Sequence, residues 1–406
     1  ARRGYKGPVH CTVGTAELLG VVLRDSARLQ EEDSERANRH GYSRHKPALP
    51  LYTSADAEAA LRLLVRHPYG SDFTVEPGTR VRFRRAGHIL GAATVQLDLD
   101  HGAPCRLVFS GDLGRWDRPI LRDPELVPDA DVLLVESTYG DRVHTEDAEG
   151  ELARIVTESA DRGGALIIPA FAIGRTQELL WTLRELEDAR RIPRLPIFLD
   201  SPMAIEVTEI YYRHPEDHDA DMRVLMAEKR KLGGDRLELV RSAAESRTLN
   251  ERSGPMIIIA GSGMATGGRV LHHLQHRLPD PRTTVLLAGF QAAGTRGRSL
   301  QDGARELRLH GQDIPVRARV ESLAGLSAHA DQNELLRWLG GFQRPPGHTY
   351  IVHGEKHASE ALAAAIVERL GWSVSVAVDG QTVPLRAGTG PATRPDGSQV
   401  QPRELT

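Results

Sequence analysis

Hydrophobic positions along the first part of the chain fall into short runs and alternations. Residues 8–13 (PVHCTV) predict a strand, and Leu18, Leu19, Val22 and Leu23 form a helical stripe over 15–29. The polar stretch 30–50, with His40 and His45, predicts a solvated loop or a frayed helix end. Residues 56–65 read as helix. Between 74 and 100, Val81 and Phe83 and then Val95, Leu97 and Leu99 alternate with polar residues, which predicts a half-buried antiparallel pair. The apolar runs 107–109 and 132–135 suit strands buried on both faces. A carboxylate closes each of them, Asp112 and Glu136.

Beyond Tyr139 the pattern becomes strand and helix in turn. Thr145 is expected to cap a helix with Leu152, Ile155, Val156 and Ser159 inward. A strand at 165–171, a helix from Arg175 with Leu179, Leu180, Leu183 and Leu186 inward, and a strand at 196–199 follow. Ser201-Pro202 opens another helix by the cap-then-proline rule. Runs at 256–260 and 284–288 complete the series. Alternation of this kind implies a mainly parallel sheet with right-handed crossovers, so 141–325 is expected to be an α/β domain inserted into a first domain formed by 1–140 and 326–386. The alternation of Val316, Ala318 and Val320 predicts a strand at which that first domain resumes. Asp331 then caps a helix carrying Leu335, Leu336 and Leu339, a strand at 349–352 ends at His353, a helix runs to Leu370, and a last strand covers 374–378. Residues 387–406 lack periodicity and are expected to be a disordered tail.

Composition changes this picture little. The chain has 406 residues, 40% hydrophobic and 26% charged, which suits two domains with ordinary soluble cores. No apolar run reaches the roughly 18 residues of a membrane span. Two cysteines, Cys11 and Cys105, build no disulfide framework and point to a reducing cytoplasm. A net charge of -3 excludes non-specific coating of nucleic acid, so a polyanion partner must meet a local basic groove. The chain opens ARRGYKG, with neither initiator methionine nor signal sequence, and is expected to begin in mid-domain.

The chemistry collects at strand ends. His88, Asp112, Glu136, His329 and His353 each stand where a strand stops or a loop rich in Gly or Ser begins. Imidazole and carboxylate together are the ligand inventory of a zinc-activated hydrolase. The alternative for any single acid is a turn or helix cap. His214, His218 and Asp219 read as a solvated loop, and His272, His273 and His276 as an exposed helix start. His357 follows His353 at helical spacing, with a strand end between them. The glycine-rich GSGMATGGR, 261–269, either presents N–H groups to a phosphate through Ser262 and Gly263 or is only a tight strand-to-helix turn. Arg175, Arg269, Arg296, Arg298 and Ser327 are the further candidates for phosphate contact.

GHILGAA, SGDLG, VESTYGDR, LSAHAD and IVHGE, in this order, resemble the later motifs of the β-CASP branch of the metallo-β-lactamase fold, whose members include ribonuclease J and the endonuclease subunit of the cleavage and polyadenylation specificity factor. The resemblance implies an αββα sandwich, incomplete at its N-terminus, with an inserted β-CASP domain. It implies a two-zinc site in which His88 ligates one ion, Asp112 bridges both and His353 ligates the second. Glu136 and His329 become a pair in which Glu136 keeps His329 charged and His329 protonates the leaving oxygen. A histidine at 353 goes with RNA-cutting members. The implied function is an endonuclease on single-stranded RNA, with 5′-3′ exonuclease activity and a homodimer left open. The family's earlier His-x-His-x-Asp-His motif is absent from the 406 residues and is expected to lie before residue 1, so the chain alone is expected to bind zinc weakly and not to cut RNA. The alternatives are a non-catalytic RNA-binding subunit and a small-molecule metallo-hydrolase.

Overall fold

Two β-sheets of opposite character organise the computed structural model, which describes residues 4–102, 104–144, 147–383 and 385. The first has seven strands. In spatial order they are Val374–Val376, His348–Val352, Val132–Glu136, Pro104–Phe109, Ala93–Asp100, Thr79–Arg85 and Asp72–Glu76. The first four run parallel and the remainder are antiparallel. The second sheet has six parallel strands: Leu237–Leu239, Ile197–Asp200, Met256–Gly261, Ala165–Ala170, Thr284–Leu287 and Arg319–Ser322. Among the described residues no helix is long and apolar enough to cross a membrane.

Each sheet lies in its own compact unit. The unit with seven strands takes His10–Thr15, Val65–His144 and the described residues from Ala328 onward. The unit with six takes Ala16–Leu64 and the described stretch that ends at Ser327. The residues expected as 1–140 fall in both units, the long helix Val13–His40 belonging to the six-stranded unit from Ala16 onward, where Glu17 pairs with Arg213 at 2.8 Å. That helix reaches His40, so of the solvated loop or frayed helix end expected over 30–50 the loop is confined to 41–50. It continues into the polar stretch as far as His40, held by Arg28 bridging Asp25 and Glu32 on its surface and by Glu31 accepting the N–H and hydroxyl of Ser54.

The strand expected near Val316 is a correction. Arg319–Ser322 pairs in parallel with Thr284–Leu287 and so completes the six-stranded sheet instead of returning to the first domain. Alternation records that one face of a strand is buried, without saying against which sheet. Thr145 lies outside the described residues, as do 387–406. The helix Ala148–Asp161 is capped by Asp147, whose carboxylate accepts the Gly150 N–H, and it buries Leu152, Ile155, Val156 and Ser159 as expected.

One face of the seven-stranded sheet carries the larger core of its unit. Val108, Leu133, Val135 and Ile351 meet Leu335, Leu336, Trp338 and Leu339 of the helix Gln332–Leu339 and Leu362 and Ile366 of the helix Lys356–Leu370. Each such side chain contributes roughly 2 kcal/mol on leaving water. The sheet ends differently at its two sides. Asp72–Glu76 is interrupted by a bulge between Thr74 and Glu76, and Val374–Val376 has only three residues.

Candidate metal and proton-transfer site

All five candidate residues fall in the seven-stranded unit, and backbone bridges between their loops bring them together. The segment after Pro104–Phe109 is the centre. On one side Gly114 N donates to Ala86 O at 2.7 Å, and on the other Ala330 N donates to Leu113 O at 2.8 Å. The His88 and His329 loops are therefore clamped to the Asp112 loop. The strands Val132–Glu136 and His348–Val352 pair in register, Val352 against Glu136, and Ser137 N donates to His353 O at 3.2 Å. This register delivers Glu136 and His353 to the same rim.

Glycines make these approaches possible. A Cβ on Gly114 would lie 2.0 Å from Gly87 O, and one on Gly354 would lie 2.2 Å from Ser137 Oγ. His353 itself has φ 51°, a left-handed backbone that costs about 1–3 kcal/mol and often marks a functional position.

Asp112 holds the middle of the site. His88, Asp112 and His329 offer donor atoms within 4.8 Å of one another, and so do Asp112, Glu136 and His353. The Asp112 carboxylate is 3.2 Å from His353 Nδ1, and the His88 and His329 rings are 4.2 Å apart between centroids. Both Asp112 and His353 remain open to solvent. Nδ1 of His88 is buried and has no hydrogen-bond partner. Burial first, and the His329 ring second, hold the His88 imidazole below its ordinary value and so in the neutral form that ligates metal. A buried nitrogen without a partner, beside a shared carboxylate and a second imidazole, fits a zinc-type donor set.

Glu136 is buried at 1% exposure. Burial alone would push its carboxyl up, but His329, the Thr138 hydroxyl and the Leu113 N–H hold it below the ordinary value of 4.5. His329 Nδ1 lies 3.2 Å from Glu136 Oε2, so the ionised carboxylate faces a ring N–H.

His144 is a residue that the sequence reading missed. Its Nε2 is 2.9 Å from the carbonyl of His329, and its backbone N–H donates to Asp331 at 2.9 Å. Asp331 also forms a capping box with Glu334. The only signal was one histidine eight residues after Glu136 with no strand end of its own. Asp331→Ala is expected to cost about 1–2 kcal/mol through the lost cap, which urea unfolding followed by circular dichroism measures.

The other candidates stand in the six-stranded unit. Arg269 donates to Asp200 at 2.7 Å and to the carbonyls of Val240 and Arg241, so its guanidinium is taken up inside the fold. Arg175 pairs with Glu178 at 2.8 Å and Arg298 with Asp302 at 2.9 Å. Arg296 donates to the carbonyls of Thr266 and Arg308. In the glycine-rich turn, Ser262 Oγ accepts from Thr266 N and Gly267 N, so two of the N–H groups expected for a phosphate are used internally. Gly263 packs against Phe171, and Ser327 is buried.

Three histidines expected in solvent are buried: His214 at 2%, His218 at 1% and His273 at 0% exposure. His214 pairs with Glu216, and His218 meets the Tyr211 carbonyl. His273 Nε2 is 2.7 Å from Asp200, which also accepts from Ser246 and Arg269. For His273 a partner distant in the chain supplied what local polarity did not reveal.

Residues 176–300 match the Beta-Casp domain model, and residues 313–377 match that of the Zn-dependent metallo-hydrolase RNA specificity domain. The chain is 37% identical over 387 residues to Ribonuclease TTHA0252 of Thermus thermophilus, covering 95% of this chain and 83% of that protein. It is 31% identical over 368 residues to transcription termination factor FttA of Methanocaldococcus jannaschii, covering 87% of this chain and 55% of the factor. An RNase J-like protein of the same organism is 29% identical over 382 residues, 93% of this chain and 83% of that protein. The chain thus spans little more than half the length of the termination factor.

Proposed function

The chain belongs to the β-CASP family of the metallo-β-lactamase fold, and from that membership we propose that it serves as a zinc-dependent ribonuclease acting on single-stranded RNA. One observation carries the reading: His88, Asp112, Glu136, His329 and His353 meet in one unit although the outermost pair lie 265 positions apart (353 − 88). His88, Asp112 and His353 would hold zinc, with Asp112 shared between two ions. Bound zinc supplies Lewis acidity toward a phosphoryl oxygen and water of lowered pKa.

The chain's own residues orient and move a proton. Glu136, kept ionised by its three donors, accepts a hydrogen bond from Nδ1–H of His329, fixes the direction of that ring and favours its imidazolium form, in which the other ring nitrogen also carries a proton. The second ring nitrogen is then the atom that donates to the departing 3′ oxygen. A purely RNA-binding role would have no use for this buried carboxylate aimed at an imidazole.

The family's two-ion site takes four more ligands from a His-x-His-x-Asp-His segment, which these 406 residues do not contain. The polypeptide is accordingly expected to hold zinc weakly and to leave RNA uncut, while a version with such a segment placed ahead of Ala1 binds two zincs and cleaves. In that version His329→Ala lowers the cleavage rate about 10²–10⁴-fold. Calorimetric zinc titration and cleavage of a labelled oligonucleotide test both statements. Two tightly held zincs in the unextended chain would refute the first, and an extended chain that binds zinc without cutting RNA would refute the second.

A further inference from the structure

The carboxyl edge of the six-stranded sheet presents a feature that the metal site does not use. Parallel α/β sheets gather ligands at that edge. Here Phe171 directly follows Ala165–Ala170, and Phe290 follows the neighbouring strand Thr284–Leu287 by three residues. Their relative exposures are 47% and 50%. Among the described residues, Phe109 at 39% is the one other exposed phenylalanine, so two of the three exposed phenylalanines share one edge.

The loop after the adjacent strand Met256–Gly261 links the two positions. Gly263 lies against Phe171, where a Cβ would come 2.9 Å from Cδ2 and Cε2, so glycine lets the backbone approach the ring closely. Gln291, next to Phe290, donates from Nε2 to Gly263 O and Gly289 O, both at 3.1 Å. Ser262 and Ala265 are held at φ 81° and 53°, conformations that persist only where surrounding contacts over-determine them. The main chain of Phe171 is fixed as well, its carbonyl accepting the N–H and the hydroxyl of Thr176.

Charge accompanies the rings. The guanidinium of Arg296 reaches the Thr266 carbonyl of this loop and the Arg308 carbonyl, contacts that hold its position without cancelling its charge. Exposed hydroxyls of Ser262 and Thr266 lie in the same loop, 2.9 Å apart. Pre-positioned aromatic faces beside a cation match unpaired bases on a phosphate backbone, since every base has a π face to stack.

We propose that Phe171 and Phe290 form a stacking platform for bases of single-stranded RNA, with Arg296 attending the backbone; this rests on the RNA reading given above. The platform gains affinity from base faces and is indifferent to sequence. The test is fluorescence anisotropy of a labelled ten-nucleotide RNA across a salt series. Phe171→Ala and Phe290→Ala are each expected to weaken binding about five- to hundred-fold while leaving the slope of log K against log salt unchanged. Phe171→Trp and Phe290→Trp retain affinity, and an RNA of equal length bearing abasic sites binds the wild type as weakly as intact RNA binds the double alanine variant. RNA binding that neither alanine variant alters, or equal affinity for abasic RNA, overturns the platform alone. A wild-type chain that binds no RNA overturns the platform and the RNA reading together.

Discussion

Gly114→Ala is expected to lose about 3 kcal/mol or more, at the upper end of what overpacking costs. The added methyl would lie 2.0 Å from the carbonyl oxygen of Gly87 and 2.6 Å from the amide nitrogen of His88. Both obstacles are backbone, so no side chain can swing aside. Relief requires the His88 loop to separate from the Asp112 loop, which breaks the Gly114–Ala86 hydrogen bond as well. For a unit of this size the loss corresponds to a fall of roughly 6–12 °C in Tm. Gly303→Ala is the control: that glycine has φ 83° with open space around it, so a methyl there meets only the left-handed backbone penalty of about 1–2 kcal/mol. Differential scanning calorimetry of the two variants, with hydrogen exchange at 86–92, reads both the energy and its location. Equal melting of the two would sink the argument that loop clamping holds the site together.

Asp200→Ala is expected to be the costliest change in the other unit, about 3–5 kcal/mol, because it strands a buried imidazole and a guanidinium. Asp200 is fully buried and accepts from Arg269, His273 and Ser246. Burial would push its carboxyl up, but those three donors hold it below the ordinary value of 3.8. The sign of the pH effect follows from that depression. Between the ordinary and the folded values the unfolded chain binds the extra proton, so stability present near neutral pH is lost as pH falls below about 4. The advantage of the wild type over Asp200→Asn, which keeps one acceptor, is therefore full at pH 6 and shrinks through that acid range. Urea midpoints at a series of pH values measure it, and an advantage constant down to pH 3 would count against the depressed carboxyl.

The two units differ in how much of them could be read from residue order. Strands buried on both faces were legible because continuous apolar runs such as Met256–Gly261 leave no alternative placement. Caps at Ser201 and Asp331 were legible because their chemistry is local. The hairpin Glu306–Leu309 with Gln312–Pro315 was not, since its turn puts His310 at φ 45° before Gly311, a conformation that histidine rarely advertises. The burial of His273 and His214 was equally hidden. His273 meets Asp200 from far along the chain, whereas His214 meets Glu216 two residues on at 2.7 Å and lies 3.4 Å from Glu17. The five candidate residues were visible through their motifs, whereas the support His144 gives to His329 depends on a carbonyl contact that no side-chain pattern encodes.

The ends of the seven-stranded sheet bear on behaviour at high concentration. A strand with unpaired amides along its outer side is a template for another chain. Here one margin is kinked at Thr74 and Glu76 and carries Asp72 and Glu76, while the opposite margin is three residues long. Neither provides an uninterrupted ribbon to which a neighbouring molecule could add, so the fold carries its own barrier to fibrous assembly.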